Sequence, residues 1–300
     1  MPRLRRVAPC YTLVVICILY LVLLPGFASA APPSADSAAQ LQLSLPTPSG
    51  ERWKVIQGYA CGTHNSWDRY SLDLVAAKGR TSGAPVRAAA DGVVFAWTPK
   101  SGTLILSHGN GFYSMYTHMA SAVTTKRGAF LARGTQIGTV GERGAPGAPH
   151  LHFTAFTADG AWARNRHSVP LSFSEGYNLP EIGGCNQHRG QTMIAADTAA
   201  ASPQTDREPP YLAALPAAIR LYVGQPSAVE WPAAIDNGSG VAGYRIYIGP
   251  DSHGISDWFI PDPQLEIPAL GAGHFVLRAQ ALDAAGNTGQ WVTMADLLVE

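Results

Sequence analysis

From Trp53 onward the chain alternates short apolar runs with glycine-rich turns, the pattern of strands rather than of long helices. Residues 92–98, 103–108, 112–118 and 151–156 each read as a strand. Ser101-Gly102 and Gly109-Asn110-Gly111 supply the turns between the first three. The same pattern returns later in residues 244–248 and 275–282, separated by Asp-Asn-Gly and Ala-Gly-Asn turns. The expectation is a mainly β protein, with an antiparallel sheet domain over residues 51–185 and a β-sandwich over 208–300.

Three segments fall outside that pattern. Residues 1–30 have the layout of an export signal: Arg3, Arg5 and Arg6, an unbroken apolar run over 11–24, then Ala28-Ser29-Ala30. An uncleaved anchor is the alternative, and either reading puts the functional part outside the cytoplasm. Residues 31–50, rich in Ala, Pro and Ser, read as a flexible lead-in, and 186–207 read as a linker without apolar periodicity.

Composition agrees with this division. Thirty-one glycines and 23 prolines against 14% charged residues fit a turn-rich β chain, and no basic run points to nucleic acid. Without the three arginines of residues 1–30, 18 basic residues face 21 acidic ones, a net of −3. Residues 51–185 carry 13 basic and 8 acidic residues, whereas 208–300 carry 3 and 10. A basic first half suits an acidic polymer such as a cell wall, although ordinary surface variation gives the same contrast. The acidic second half suits a spacer or a binder of uncharged glycan or protein. Its Asp236-Asn237-Gly238-Ser239-Gly240 reads as a tight turn rather than a calcium loop, because spaced carboxylates are missing.

Cys10 and Cys17 lie in the export segment, which leaves Cys61 and Cys185. In an oxidising compartment such a pair is expected to form a disulfide, worth roughly 4 kcal/mol in the chain-entropy view. Cys61 as a metal ligand is the competing reading, but no second Cys-x-x-Cys or Cys-x-x-His element completes such a site.

The chemistry-bearing residues are histidines at strand positions. In Pro149-His150-Leu151-His152-Phe153 both imidazoles share one face, opposite Leu151 and Phe153. Paired buried imidazoles need a metal or a hydrogen-bonded network. Upstream, His64 and Asp73 add another imidazole and a carboxylate, and with a histidine they make a donor set that suits catalytic zinc. Asp73 sits between Leu72 and Leu74, so its charge needs a partner, either a metal or one of Arg69 and Arg80. Alternation also puts Phe112, Ser114, Tyr116 and His118 on one strand face. His108 reads as a packed strand histidine, with a supporting role beside the site as the alternative.

As an ordered series these residues resemble the lysostaphin-like, LytM-type zinc endopeptidases that cut peptidoglycan cross-links. The resemblance runs over residues 58–156. It rests on His64, Ser71-Leu72-Asp73-Leu74, Gly83-Ala84-Pro85-Val86-Arg87-Ala88, Asp91-Gly92-Val93-Val94 and Leu104-Ile105-Leu106-Ser107-His108. It continues through Tyr116-Thr117-His118-Met119, Gly134-Thr135-Gln136-Ile137-Gly138 and Gly147-Ala148-Pro149-His150-Leu151-His152-Phe153. It implies zinc held by His64, Asp73 and His152, with His118 and His150 as the catalytic pair. Many members place the carboxylate four residues after the first histidine, but here nine separate His64 from Asp73, which makes Asp68 a rival ligand. Asp73 is preferred because it starts an apolar strand, whereas Asp68 reads as a solvated loop carboxylate. The loop Gly141-Glu142-Arg143-Gly144-Ala145-Pro146 also departs from the commoner Asn- and Ser-rich form.

The functional expectation is therefore a secreted, monomeric zinc endopeptidase, associated with the cell wall and free of the membrane once the export segment is cut. Its substrate would be peptidoglycan or another Gly-rich peptide. The second domain resembles bacterial immunoglobulin-like or fibronectin type III-like modules in its segments 239–244 and 281–287. The alternative function is a non-catalytic wall-binding or adhesion protein that keeps the fold, and the absence of any ligand position would favour it.

Overall fold

A computed structural model describes residues 43–159, 163–196, 206–214, 217–225 and 227–300. Residues 1–30, read from the sequence as an export signal, and most of the lead-in lie outside the described residues. Twelve strands build the first half: β1 (Arg52–Gln57), β2 (Leu72–Ala76), β3 (Pro85–Arg87), β4 (Gly92–Thr98), β5 (Thr103–Ser107), β6 (Phe112–Thr117), β7 (Met119–Ala122), β8 (Phe130–Leu131), β9 (Gln136–Val140), β10 (Leu151–Asp159), β11 (Arg164–Ser168) and β12 (Thr192–Ile194). Seven follow: β13 (Ala217–Leu221), β14 (Ser227–Glu230), β15 (Val241–Gly249), β16 (Trp258–Ile260), β17 (Gln264–Ile267), β18 (Gly273–Asp283) and β19 (Thr288–Val299). Among the described residues the one helical element is a 3-10 turn, Ser66–Asp68.

The central sheet runs β12-β1-β2-β10-β6-β5-β4-β8, with β11 paired to β10, and all its pairings are antiparallel. Period-two alternation gives this sheet two different faces. Trp53, Val55, Leu72, Leu74, Leu104, Leu106, Tyr116, Leu151 and Phe153 point into one core. The small sheet β3-β9-β7 closes that core with Val86, Met119, Ile137 and Val140. Asp73, Thr117, His152 and Thr154 occupy the intervening positions, on the opposite face. Along that same face lie Val93, Phe95, Ile105, Tyr113, Met115 and Phe156, which share a second core with Ala242, Phe259, Leu282 and Ala284. Two hydrophobic layers thus sandwich the central sheet, and at its site-bearing end only the first of them continues, under Leu72, Leu74, Leu151 and Phe153.

The second half is a sandwich of its own. The five-stranded sheet β13-β19-β18-β15-β16 faces the pair β14-β17 across a core containing Tyr244, Ile246, Leu277, Leu265 and Leu297. Its β13–β19 pairing is parallel and the rest are antiparallel. Beside the shared core, the Ser107 hydroxyl donates to the Ala242 carbonyl at 3.3 Å and Lys126 pairs with Asp257 at 2.8 Å. Both partners of that ion pair are well exposed, so it adds little to the hydrophobic contact.

Two stretches differ from the sequence reading. Leu43 and Leu45, in the lead-in, are buried in the first core, and Thr192–Ile194, in the linker, pairs with β1 as an edge strand. Both are short segments whose apolar residues cover a sheet that the local pattern does not reveal. The Asp236 turn forms as expected, with Oδ2 accepting the Gly238 and Gly240 amides. Its carboxylate nevertheless meets Asp206 and Asp283, with oxygens of the three within 4.8 Å of one another. Burial, followed by the neighbouring carboxylate charges, raises the pKa of Asp283.

Candidate active site

The site is built where β2, β10 and the end of β6 lie side by side. Residues Asp73 and His152 are paired across β2 and β10, and His152 pairs with Thr117 of β6. Side chains of directly opposed residues project on the same side of the sheet, so Asp73 and His152 meet at once: Asp73 Oδ1 lies 2.9 Å from His152 Nδ1. His64 arrives from the loop after β1, with Nε2 3.1 Å from Asp73 Oδ1 and 3.2 Å from His152 Nδ1. All three are buried, His64 completely. In the metal-free protein, burial opposes the charged forms, but hydrogen bonds and charge attraction win. The His152 pKa is raised to about 9 by Asp68 and Asp73, and that of Asp73 is held far below the carboxylate range by His152 and His64.

Each imidazole is oriented through its other nitrogen. His64 Nδ1–H donates to the Gly58 carbonyl at 2.8 Å. Gly58 is held by Asn186 Oδ1, which accepts its amide at 2.8 Å, and a Cβ there would sit 1.7 Å from the Gln187 carbonyl oxygen. Only glycine fits that crossing. His152 Nε2 faces Asp68 Oδ2 at 3.1 Å. In the neutral tautomers that these contacts favour, His64 Nε2 and His152 Nδ1 would converge unprotonated with a carboxylate oxygen, a donor set that suits zinc. The ligand atoms of His64, Asp73 and His152 all lie within 4.8 Å of one another.

His118 and His150 flank this cluster, half-buried. His150 Nδ1–H donates to the Ala148 carbonyl at 2.7 Å, and its Nε2 lies 3.6 Å from Asp73 Oδ1. His118 Nδ1–H donates to the Arg143 carbonyl at 2.7 Å, and its ring centroid is 4.5 Å from that of His150. Burial, and then the adjacent His150 charge, push the His118 pKa down against the Arg143 carbonyl.

The structure corrects two details of the sequence reading. His118 does not share a face with Ser114 and Tyr116. Strand β6 ends at Thr117, and His118 takes φ +67°, a left-handed conformation uncommon outside glycine. Its carbonyl accepts the Gly141 amide and its amide donates to Ser101, so the corner between β6 and β7 turns the ring out of the core and over the site. Asp68 is not a solvated loop carboxylate. It lies against His152 and Thr154, and although burial works against its charge, the His152 contact, Ser71 and Thr154 hold its pKa down. Arg69, the alternative partner for Asp73, instead pairs with Glu181.

Residue His108 lies on the core face, bonded to the Asp91 carbonyl and Ser114 hydroxyl, with its pKa pushed down to about 4 by burial. It is a neutral core histidine away from the cluster. The disulfide joins Cys61 to Cys185, so Cys61 offers no thiolate.

Residues 70–163 match the family model described as peptidase family M23. Asp73, His118, His150 and His152 fall inside that match, and His64 just before it. A 95-residue stretch is 30% identical to peptidoglycan DD-endopeptidase ShyA of Vibrio cholerae, covering 31% of this chain and 22% of that protein. A 76-residue stretch is 40% identical to DD-carboxypeptidase/endopeptidase Mpg of Neisseria meningitidis, covering 24% of this chain and 17% of that protein. The chain therefore spans less than a quarter of the length of these curated relatives. Among solved structures, an M23 metalloprotease from the deep sea, pseudoalterin, aligns over 52% of this chain and 96% of that chain, with 22% identity and a TM-score of 0.41.

Proposed function

We propose that this chain is a secreted, zinc-dependent endopeptidase that hydrolyses peptide bonds in peptidoglycan cross-links or similar Gly-rich peptides. The observation that carries the reading is the convergence of His64 Nε2, Asp73 Oδ1 and His152 Nδ1 beside two further imidazoles. The relatives named for peptidoglycan endopeptidase activity support the substrate class. Residues His64, Asp73 and His152 would hold the metal, two neutral nitrogens and one carboxylate against a doubly charged cation. Zinc at such a site supplies a Lewis acid that polarises a peptide carbonyl and acidifies an attacking water.

The remaining work falls to His118 and His150. With each Nδ1–H committed to a main-chain carbonyl, each ring presents Nε2 to the substrate space. A lowered pKa suits His118 to accept a proton at neutral pH. His150, whose Nε2 is nearer to Asp73, is placed to hydrogen-bond the carbonyl oxygen or the leaving nitrogen. A second ring proton, taken from the attacking water at one Nε2, can pass to the leaving amine, and the 4.5 Å separation of the rings disfavours a positive charge on both at once.

The test is digestion of purified cell walls by the protein lacking residues 1–30, with mass spectrometry of the released fragments and metal analysis of the same sample. About one zinc per chain and new peptide termini that vanish with a chelator are expected. Bound zinc with no cleavage of walls or glycine-rich peptides would favour the non-catalytic alternative.

A further inference from the structure

The ten residues from His64 to Asp73 do more than connect two side chains of the cluster. Ser66, at φ +53°, starts the 3-10 turn that carries Trp67 and Asp68 back over β10. Trp67 packs edge-on to Phe156, with ring centroids 5.6 Å apart, and the Arg166 guanidinium lies 5.4 Å over Trp67. This clamp sets Asp68 down beside His152 and Thr154.

We propose that Asp68 is a positioning residue for the metal site: by accepting the His152 Nε2–H, it fixes that ring with Nδ1 bare and aimed at His64 and Asp73. The inference rests on the metal site proposed above. Its support is geometric. An imidazole in a strand can turn about its Cβ–Cγ bond and can carry its proton on either nitrogen, and a ligand needs one defined answer to both. His64 obtains its answer from the Gly58 carbonyl, whereas His152 obtains it from Asp68 Oδ2 at 3.1 Å.

Asp68 is itself held in place. Its Oδ1 lies 2.5 Å from the Ser71 hydroxyl and 2.8 Å from that of Thr154, both within donating distance. With Oδ1 so occupied and Oδ2 on the far edge of the His152 ring, Asp68 stands outside the ligand cluster. It is thus a carboxylate behind a ligand rather than a ligand. Nothing in the local pattern of residues 64–73 shows this, because the partner atoms come from β10.

The experiment measures zinc affinity of the metal-depleted protein by competition with a chromophoric chelator, together with the visible spectrum of the cobalt form and the melting temperature of the metal-free form. Asp68→Ala is expected to bind zinc about 10–100-fold more weakly, with one zinc per chain still reached at saturation. Asp68→Asn, which keeps an acceptor oxygen, should fall between Asp68→Ala and wild type. Thr154→Ala, which removes a donor to Asp68, should weaken binding by a smaller factor. The cobalt spectrum should change in Asp68→Ala, which a purely structural role would not require. Wild-type affinity and spectrum in both Asp68 variants would overturn the proposal. Complete loss of zinc from Asp68→Asn would make Asp68 a ligand and overturn it as well. A wild-type protein that binds no zinc would instead sink the metal-site reading on which it rests.

Discussion

The amide of His64 donates to the carbonyl of Cys61 at 2.9 Å, so the innermost imidazole of the site and one end of the disulfide share a single turn. The other end, Cys185, precedes Asn186, whose side chain holds Gly58, and Gly58 in turn orients the His64 ring. The bridge therefore closes a ring of contacts around one imidazole of the cluster. Removing it with Cys61→Ser/Cys185→Ser should cost roughly 2–5 kcal/mol of stability. Zinc affinity should fall as well, because His64 loses its anchor. Chemical denaturation and chelator competition on the same variant check both, and an unchanged zinc affinity would show that the His64 turn holds without the bridge.

The roles of the four histidines separate by what each nitrogen faces. His64 and His152 point Nε2 and Nδ1 into the cluster, so His64→Ala and His152→Ala should lose both zinc and hydrolysis. His118 and His150 sit beside it, and their alanine variants should keep about one zinc per chain while turnover falls by roughly 10²–10⁴. Metal analysis alongside peptide hydrolysis decides this. Zinc lost from His118→Ala, with the circular dichroism unchanged, would contradict the assignment.

Metal-free protein should show a pH dependence that zinc abolishes. His152 is raised to about 9 by its two carboxylate neighbours despite burial, above the ordinary value of 6.5. A raised imidazole pKa stabilises the fold fully below about pH 6.5, and that contribution is lost as pH rises through about 9. The carboxylates have the opposite sign: Asp68 and Asp73 are held low, so their contribution is present above about pH 4 and lost in acid. The metal-free form should thus be most stable between roughly pH 4 and 6.5 and should lose on the order of a few kcal/mol by pH 9. Denaturant unfolding across that range, with and without zinc, is the check; a flat metal-free profile would mean that His152 is not protonated in the cluster.

Much of the fold was legible because both faces of the central sheet are apolar over most of their length and strands of that kind announce themselves. The strand expected over 92–98 coincides with β4, and those expected over 103–108 and 112–118 each run one residue past β5 and β6. Asp73 and His152 stand out for the same reason, since ionisable groups interrupt otherwise apolar strands, whereas His64, in a polar loop, is singled out by the family resemblance. What was not legible depends on partners distant in sequence. Asp68 looks solvated until β10 is laid beside it, and Thr192–Ile194 looks like linker until β1 offers it an edge. His118 fails the alternation because a left-handed residue ends its strand, which no count of periods detects.

The contact between the two halves was equally hidden, and it leads to the last prediction. A flexible spacer would unfold independently of the domain before it, with two separate transitions. Here Phe259 is fully buried among Val93, Phe95 and Tyr113 from one half and Leu282 and Ala284 from the other. Its ring also faces Gly128, where a Cβ would come within 3.2 Å of it, so the contact tolerates little rearrangement. Coupled halves should melt together, and Phe259→Ala should cost about 3–5 kcal/mol by opening a cavity at the junction. Because the junction core continues along the face that carries His152 through Phe156, the variant should also weaken the Trp67 clamp and so reduce zinc affinity modestly. Differential scanning calorimetry of wild type and variant reads the first effect and chelator competition the second. Two well-separated transitions in the wild-type protein would show that the shared core does not couple the halves.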